Sequence, residues 1–315
     1  MTNPWVSFCI STYKRPGFLK DQLCSLLTQT DPAFEIVISD NDPEGSARAV
    51  VERLNDPRLK YYKNVENLGM VRSFNKSIER ATTAFIVMVT DDDPVQPEML
   101  AFFKNRIDKM PGYGIYCGCI RNHKQEGQVE SFSADDFLFE LLHPQRTPNF
   151  LWSSCVLDRQ VALDIGGMQD YGSPHLADHA MLALCSKKTG GIMINKMFSR
   201  LNKHDDNFSK TNLGLYYTAC ASFVKLIQES FPRSSYIKNR ENVITAHLRE
   251  WFIVNMFVLK KYFVTHPDPE KLRAVDRLAR DILAIPVMKK FKRPYFLKQT
   301  IFTLKKPLLK SGILK

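Results

Sequence analysis

The chain has 315 residues, 44% of them hydrophobic, and a formal net charge of +11; that length allows one large domain, or one domain with a smaller appendage, around an ample core. Seven cysteines, an odd number set mostly in apolar runs, exclude a disulfide-stapled miniprotein and read as reduced, buried thiols of a cytosolic protein, and Cys117-Gly118-Cys119 lacks the CxxC spacing of a zinc or redox site. The N-terminus shows no basic region ahead of a long apolar one, and no stretch approaches the roughly 20 apolar residues of a bilayer span, so the expectation is a protein neither exported nor membrane-spanning.

Residues Val6 to Ser11 read as a strand, stopped by "TYKRPG", after which Phe18, Leu19, Leu23, Leu26 and Leu27 recur at helical spacing. Glu35 to Ser39 repeats the pattern, followed by a polar turn and a helix near Ser46 to Asn55 with Val50, Val51 and Leu54 inward. "RLKYYKN" is a third strand, Ser73 to Arg80 a helix, and "AFIVMVT" a fourth strand. Strands alternating with helices imply parallel βαβ units, and strands buried on both faces read as unbroken apolar runs. In such sheets ligands bind beyond the carboxyl ends of the strands. Each of those ends carries polar residues here: Thr12, Tyr13 and Arg15; Asp40 and Asn41; Asn67; and Asp91 to Asp93.

Further along, "GIYCGCI", "QVESFS", "SSCVLD" and "GGIMIN" read as strands of a mixed second half, with helices at Ala134 to Leu142 and Ala177 to Lys188. From Leu213 the texture turns helical: Leu213 to Glu229, Tyr236 to Tyr262 and Glu270 to Leu283. The expected division is a catalytic domain over 1–210 and a helical C-terminal region with a basic tail over 211–315.

The segment "TDDDPVQP" crowds three carboxylates behind a buried strand. At an effective dielectric of about 20, two like charges roughly 4 Å apart repel by about 4 kcal/mol, so this edge needs a counter-charge. Asp93-Pro94 alone also reads as an N-cap and first helical residue; Asp91 and Asp92 do not. Oxygen-only ligands favour Mg²⁺ or Mn²⁺, which share coordination with substrate phosphates. The implied partner is a diphosphate.

The ordered combination of "VSFCISTYKRPGFLKDQL", "EIVISDNDPEG", "NLGMVRSFNKSIERATTAFIVMVTDDDPVQPEML" and "DIGGMQDYGSPHLADHAML" resembles the inverting family 2 glycosyltransferases of GT-A fold, over roughly residues 4–210. The resemblance implies an α/β, mainly parallel sheet flanked by helices, and a nucleoside diphosphate sugar donor, UDP first. It places Thr12, Tyr13 and Arg15 beside base and ribose, Asp40 on the base's imino N–H, and Asn67 and Arg72 at the nucleotide or diphosphate. Asp91 would face the ribose, Asp92 would bind the metal and Asp93 its waters, with His204 near metal or diphosphate. Thr90 stands where the commonest form of the motif has an acid. Asp178 would be the base that takes a proton from the acceptor hydroxyl, although Ala177 stands where the family usually has Glu. From the residues alone, Asp40 also reads as a turn former, Arg72 as a solvent-facing helix charge, Asp178 as an N-cap and His204 as a loop residue. His179 reads as structural, and Trp152 as a core residue before a sugar platform.

Residues 286–315 hold nine Lys or Arg and no acid; taking those nine from +11 leaves +2 for the remainder. Basic residues there interleave with Phe, Tyr, Leu and Ile, which suits an anionic membrane surface or a basic tail packed on the helices, and Pro294 and Pro307 are expected to break the segment into short pieces. Stacking aromatics among basic residues are missing from the main body, so no nucleic-acid partner is expected. The resemblance implies a glycan or lipid-linked oligosaccharide acceptor of a bacterial surface polysaccharide, which contact of the tail with a membrane would place at its cytoplasmic face. A sugar-phosphate nucleotidyltransferase and a non-catalytic membrane-associated binding protein are the alternatives; "STYKRPGF" is a poor phosphate loop for the first.

Overall fold

In the computed structural model, which describes residues 3–202, 212–231 and 237–311, the chain divides into two compact units, Met1–Asp170 with Ala177–Lys203, and Tyr171–Leu176 with His204–Lys315. The short stretch 171–176 therefore goes with the helical unit, inside the range expected for the first domain.

The first unit is built as β1 (Val6–Thr12), α1 (Pro16–Leu27), β2 (Phe34–Asp40), α2 (Arg48–Leu54), β3 (Leu59–Lys63), α3 (Met70–Arg80), β4 (Phe85–Val89), α4 (Met99–Lys109), β5 (Ile115–Ile120), β6 (Val129–Phe132), α5 (Ala134–Leu142), β7 (Asn149–Asp158), α6 (Arg159–Asp164), α7 (Ala177–Cys185) and β8 (Gly191–Asn195). All eight strands share one sheet, in the order β3-β2-β1-β4-β7-β5-β8-β6. The β3-β2-β1-β4 half is parallel. Beyond it, β7 runs antiparallel to β4 and β5, and β6 antiparallel to β8.

Every residue of β2 is buried, and its centre, Ile36 to Ile38, is accordingly an apolar run. Of its two acids, Glu35 at the start is paired: Ser7 Oγ donates to Oε1 at 2.6 Å, and the backbone N–H of Thr82 at 2.8 Å. A buried carboxylate thus fixes the entry to β4 against β2. In β5 the register against β7 slips between Cys117 and Cys119. Gly118 stands at the slip, where a Cβ would come within 2.7 Å of the backbone oxygens of Ser154 and Lys196; no other residue fits.

The helical unit comprises α8 (Gly214–Ser230), α9 (Ile237–Thr265), α10 (Pro269–Ala284), a 3₁₀ turn at Pro286–Phe291, and α11 (Lys292–Lys310). The tail corrects one expectation, because its prolines do not fragment it. Pro294 is the third residue of α11, where an N–H has no intrahelical partner, and Pro307 falls in the last turn. No helix among the described residues is long and apolar enough to cross a membrane.

Candidate functional site

The order of strands reverses beside β1: the chain steps outward through β2 and β3, then returns to set β4 on the other flank. Loops leaving β1 and β4 therefore part, and a crevice opens beyond their carboxyl ends. Thr12, the last residue of β1, meets Asp91 across it, Thr12 Oγ1 donating to Asp91 Oδ2 at 2.8 Å. Arg15 spans two carboxylates: Nη1 donates to Asp91 Oδ1 at 2.7 Å and Nη2 to Asp92 Oδ2 at 2.6 Å. The loop that delivers it bends at Lys14, in the left-handed region with φ 54°, a conformation most side chains avoid.

Asp91 is 3% exposed. Burial pushes its carboxyl up to about 6, against the pull of the Arg15 guanidinium and the Thr12 hydroxyl, while the charge of Asp92 adds to the rise. Asp93 is also buried, and its Oδ1 accepts the backbone N–H of Asn202 at 2.9 Å. It caps no helix, since α4 begins only at Met99; that corrects the N-cap alternative. Beside the triplet, the Thr90 hydroxyl is buried without a hydrogen-bond partner among the described residues, an unusual state for a buried oxygen.

Asp40, expected from the resemblance to meet a base, closes the end of β2. It is fully buried, with Oδ2 accepting from the Ala47 N–H at 3.0 Å and from Tyr61 Oη at 2.9 Å, and Oδ1 from the Asp42 N–H at 3.1 Å. These contacts fit the turn-forming alternative. Next to it, Asn41 Nδ2 donates to Asn67 Oδ1 at 2.7 Å, and Asn41 Oδ1 accepts from the Leu68 N–H at 2.9 Å. Asn64, which the sequence does not single out, donates through Nδ2 to Asn41 Oδ1 at 3.3 Å and accepts from Arg80 Nη2 at 3.1 Å. The Asn67 loop is thus pinned to the end of β2 by side chains of three elements. Only the strand-end position of Asn64, right after β3, could have signalled it.

Tyr13 is exposed beside this edge. Arg72 is solvent-facing and 3.9 Å from Asp170, a surface pair of little energetic weight. Asp178 lies in the first turn of α7 rather than at its cap, half-buried, with His179 Nε2 3.9 Å from its carboxylate. Burial pushes the His179 imidazole down to about 4, and its ring packs 4.6 Å from that of Phe150. Trp152 is buried edge-on against Phe74 at 4.7 Å, a core residue. His204 lies outside the described residues.

The structure thus gathers Thr12, Arg15, Asp91 and Asp92 in one cluster and pairs Asn41 with Asn67. Among the described residues, no group of three or more His, Cys, Asp or Glu is arranged to hold a metal ion. The oxygen donors at Asp91 to Asp93 nevertheless fit a hard divalent cation of the Mg²⁺ class, which needs only one or two carboxylates when a phosphate completes its shell. Arg15 shows that this edge already receives positive charge.

Residues 7–156, just under half of the chain, match the family model described as glycosyl transferase family 2. The GalNAc(5)-diNAcBac-PP-undecaprenol beta-1,3-glucosyltransferase of Campylobacter jejuni is 25% identical over 133 residues, 41% of this chain and 42% of that protein. The chain spans well under half the length of the curated relatives it matches. Two solved structures share the fold. The mannosyltransferase PcManGT from Pyrobaculum calidifontis, in complex with GDP-Man and Mn²⁺, superposes with a TM-score of 0.58 at 15% identity, over 96% of this chain and 88% of that one. S. aureus TarS 1-349, in complex with UDP-GlcNAc, gives 0.52 at 14% identity, over 93% and 92%.

Proposed function

From a chain whose residues 7–156 belong to glycosyl transferase family 2 and whose sheet has the GT-A fold, we infer a metal-dependent inverting glycosyltransferase that moves a sugar from a nucleoside diphosphate donor to a hydroxyl of a glycan or lipid-linked oligosaccharide. UDP is the first choice of nucleotide, and synthesis of a bacterial surface polysaccharide is the setting. The family assignment turns the reading away from nucleotidyl transfer. One observation carries it: Thr12, Arg15, Asp91 and Asp92 meet at the sheet's switch point, where nucleotide ligands bind in folds of this kind.

In this proposal Asp92, Asp93 and His204 would hold the ion. A Mg²⁺ or Mn²⁺ ion there supplies charge for the departing diphosphate. Asp91, fixed by Thr12 and Arg15, presents a rigid carboxylate to the ribose, and Tyr13, Asn67 and Arg72 line the approach of the nucleotide. Arg15 brings a guanidinium suited to a diphosphate. Asp178 accepts the proton of the acceptor hydroxyl as it attacks the anomeric carbon; neutral His179 beside it adds no opposing charge.

A thermal-shift titration with UDP, dTDP, GDP and CDP, each with and without Mn²⁺, tests the donor site. A nucleotide at a hundredfold excess over its Kd adds about 2.7 kcal/mol of stability. One nucleotide is expected to raise the Tm only with metal, and Asp92→Asn to abolish that rise. No rise with any nucleotide, or an undiminished rise in Asp92→Asn, would sink the assignment.

A further inference from the structure

Helix α11 has two contrasting faces. Tyr295, Phe302 and Leu309 turn toward the helical unit: Tyr295 stacks on Phe252 with centroids 5.4 Å apart, and Phe302 packs on Phe257 at 5.6 Å. On the opposite side, Leu297, Ile301, Leu304 and Leu308 follow each other at four, three and four residues, which aligns them in one stripe. They are 68%, 45%, 75% and 42% exposed. Val254 and Val258, a turn apart on α9, are exposed as well. Contiguous apolar surface of this kind marks a contact site.

Charge selects the occupant. On the helical wheel Arg293 flanks one side of the stripe and Lys298 and Lys305 the other, within a segment, 286–315, that has nine basic residues and no acidic one. A second copy of this chain would set the same positive field against itself. A lipid surface answers both features, with acyl chains for the leucines and anionic headgroups for the lysines and arginine. We propose that α11 lies in the headgroup layer of an anionic bilayer, its Leu297–Leu308 stripe turned to the acyl chains. The proposal goes beyond the transferase reading and stands without it, because docking requires neither donor nor turnover.

Co-sedimentation of the full chain with vesicles of phosphatidylcholine, alone or mixed with phosphatidylglycerol, tests it. The chain is expected to pellet with the mixed vesicles, less with phosphatidylcholine alone, and less again as salt rises. Replacing Arg293, Lys298 or Lys305 by Gln should each lower the partition coefficient about fivefold, the equivalent of about 1 kcal/mol per basic residue. Leu297→Asp combined with Leu304→Asp should abolish pelleting with helix content unchanged by circular dichroism, since both side chains are exposed. Full pelleting by that double variant, or no binding of the native chain to anionic vesicles, overturns the proposal. So does a concentration-dependent dimer in solution that the same double substitution dissolves.

Discussion

His179 is a sensitive single reporter of the first turn of α7. Burial holds its imidazole down at about 4 from the ordinary 6.5, so as pH falls through that window the unfolded chain takes up a proton that the folded chain refuses. The contribution is intact above the unfolded value and is lost on acidification: between about pH 7 and pH 5 the folded state forfeits about 2 kcal/mol through this one group. Replacing His179→Gln should flatten the Tm-against-pH curve over that interval relative to the native protein; an unaltered slope would show that the ring is free to ionise. At this scale the sequence was legible where chemistry was local. Three consecutive carboxylates announce a need for positive charge, but the guanidinium that meets two of them comes from 76 residues earlier, and no spacing rule links the two. Asp40 shows the converse: the residue type and strand end suit a ligand contact, yet its oxygens are taken by Ala47, Tyr61 and Asp42, partners set by how the following turn folds back.

Between elements, the joint of α9, α10 and α11 is held by Lys260, buried at 1% exposure. Its ammonium pairs with Asp276 Oδ1 at 2.6 Å, donates to Tyr295 Oη at 2.7 Å and also reaches Gln299. Burial pulls its pKa down, and the Asp276 carboxylate resists. Asp276→Ala leaves a buried ammonium without its carboxylate and should cost about 2 kcal/mol, whereas adding Lys260→Met should recover part of that loss. Urea denaturation of the double-mutant cycle reads the coupling; strict additivity would refute it. The strands and most of the long helices were readable because burial on both faces, or an amphipathic period over many residues, leaves a redundant pattern. Three helices escaped: α11, where the prolines were expected to break the segment, α4 and α6. In α4 the apolar period of Met99, Leu100, Phe103 and Ile107 begins only after a turn with Pro94 and Pro97, and α6 has six residues, too few to establish a period. Its start is set instead by the Asp158 side chain accepting the Val161 N–H at 2.9 Å.

At the level of the whole molecule, Thr12, Arg15, Asp91 and Asp92, proposed for the donor site, belong to the first unit and the stripe of α11 to the second, so their perturbations should separate. Arg293→Gln with Lys305→Gln is expected to leave the nucleotide-dependent thermal shift intact, and Asp92→Asn to leave vesicle binding intact. Cross-talk in either direction, read by running both assays on both variants, would refute independent sites. The cysteines carry a different consequence. Six of the seven are buried, and burial drives the Cys9 thiol up to about 12, with Cys185 and Cys220 raised as well. Cys24 alone is exposed, on the helix that begins next to Arg15. The native chain is in effect a single-thiol protein, so a maleimide dye or a spin label goes to one known place, toward the C-terminal end of α1, without a cysteine-free background.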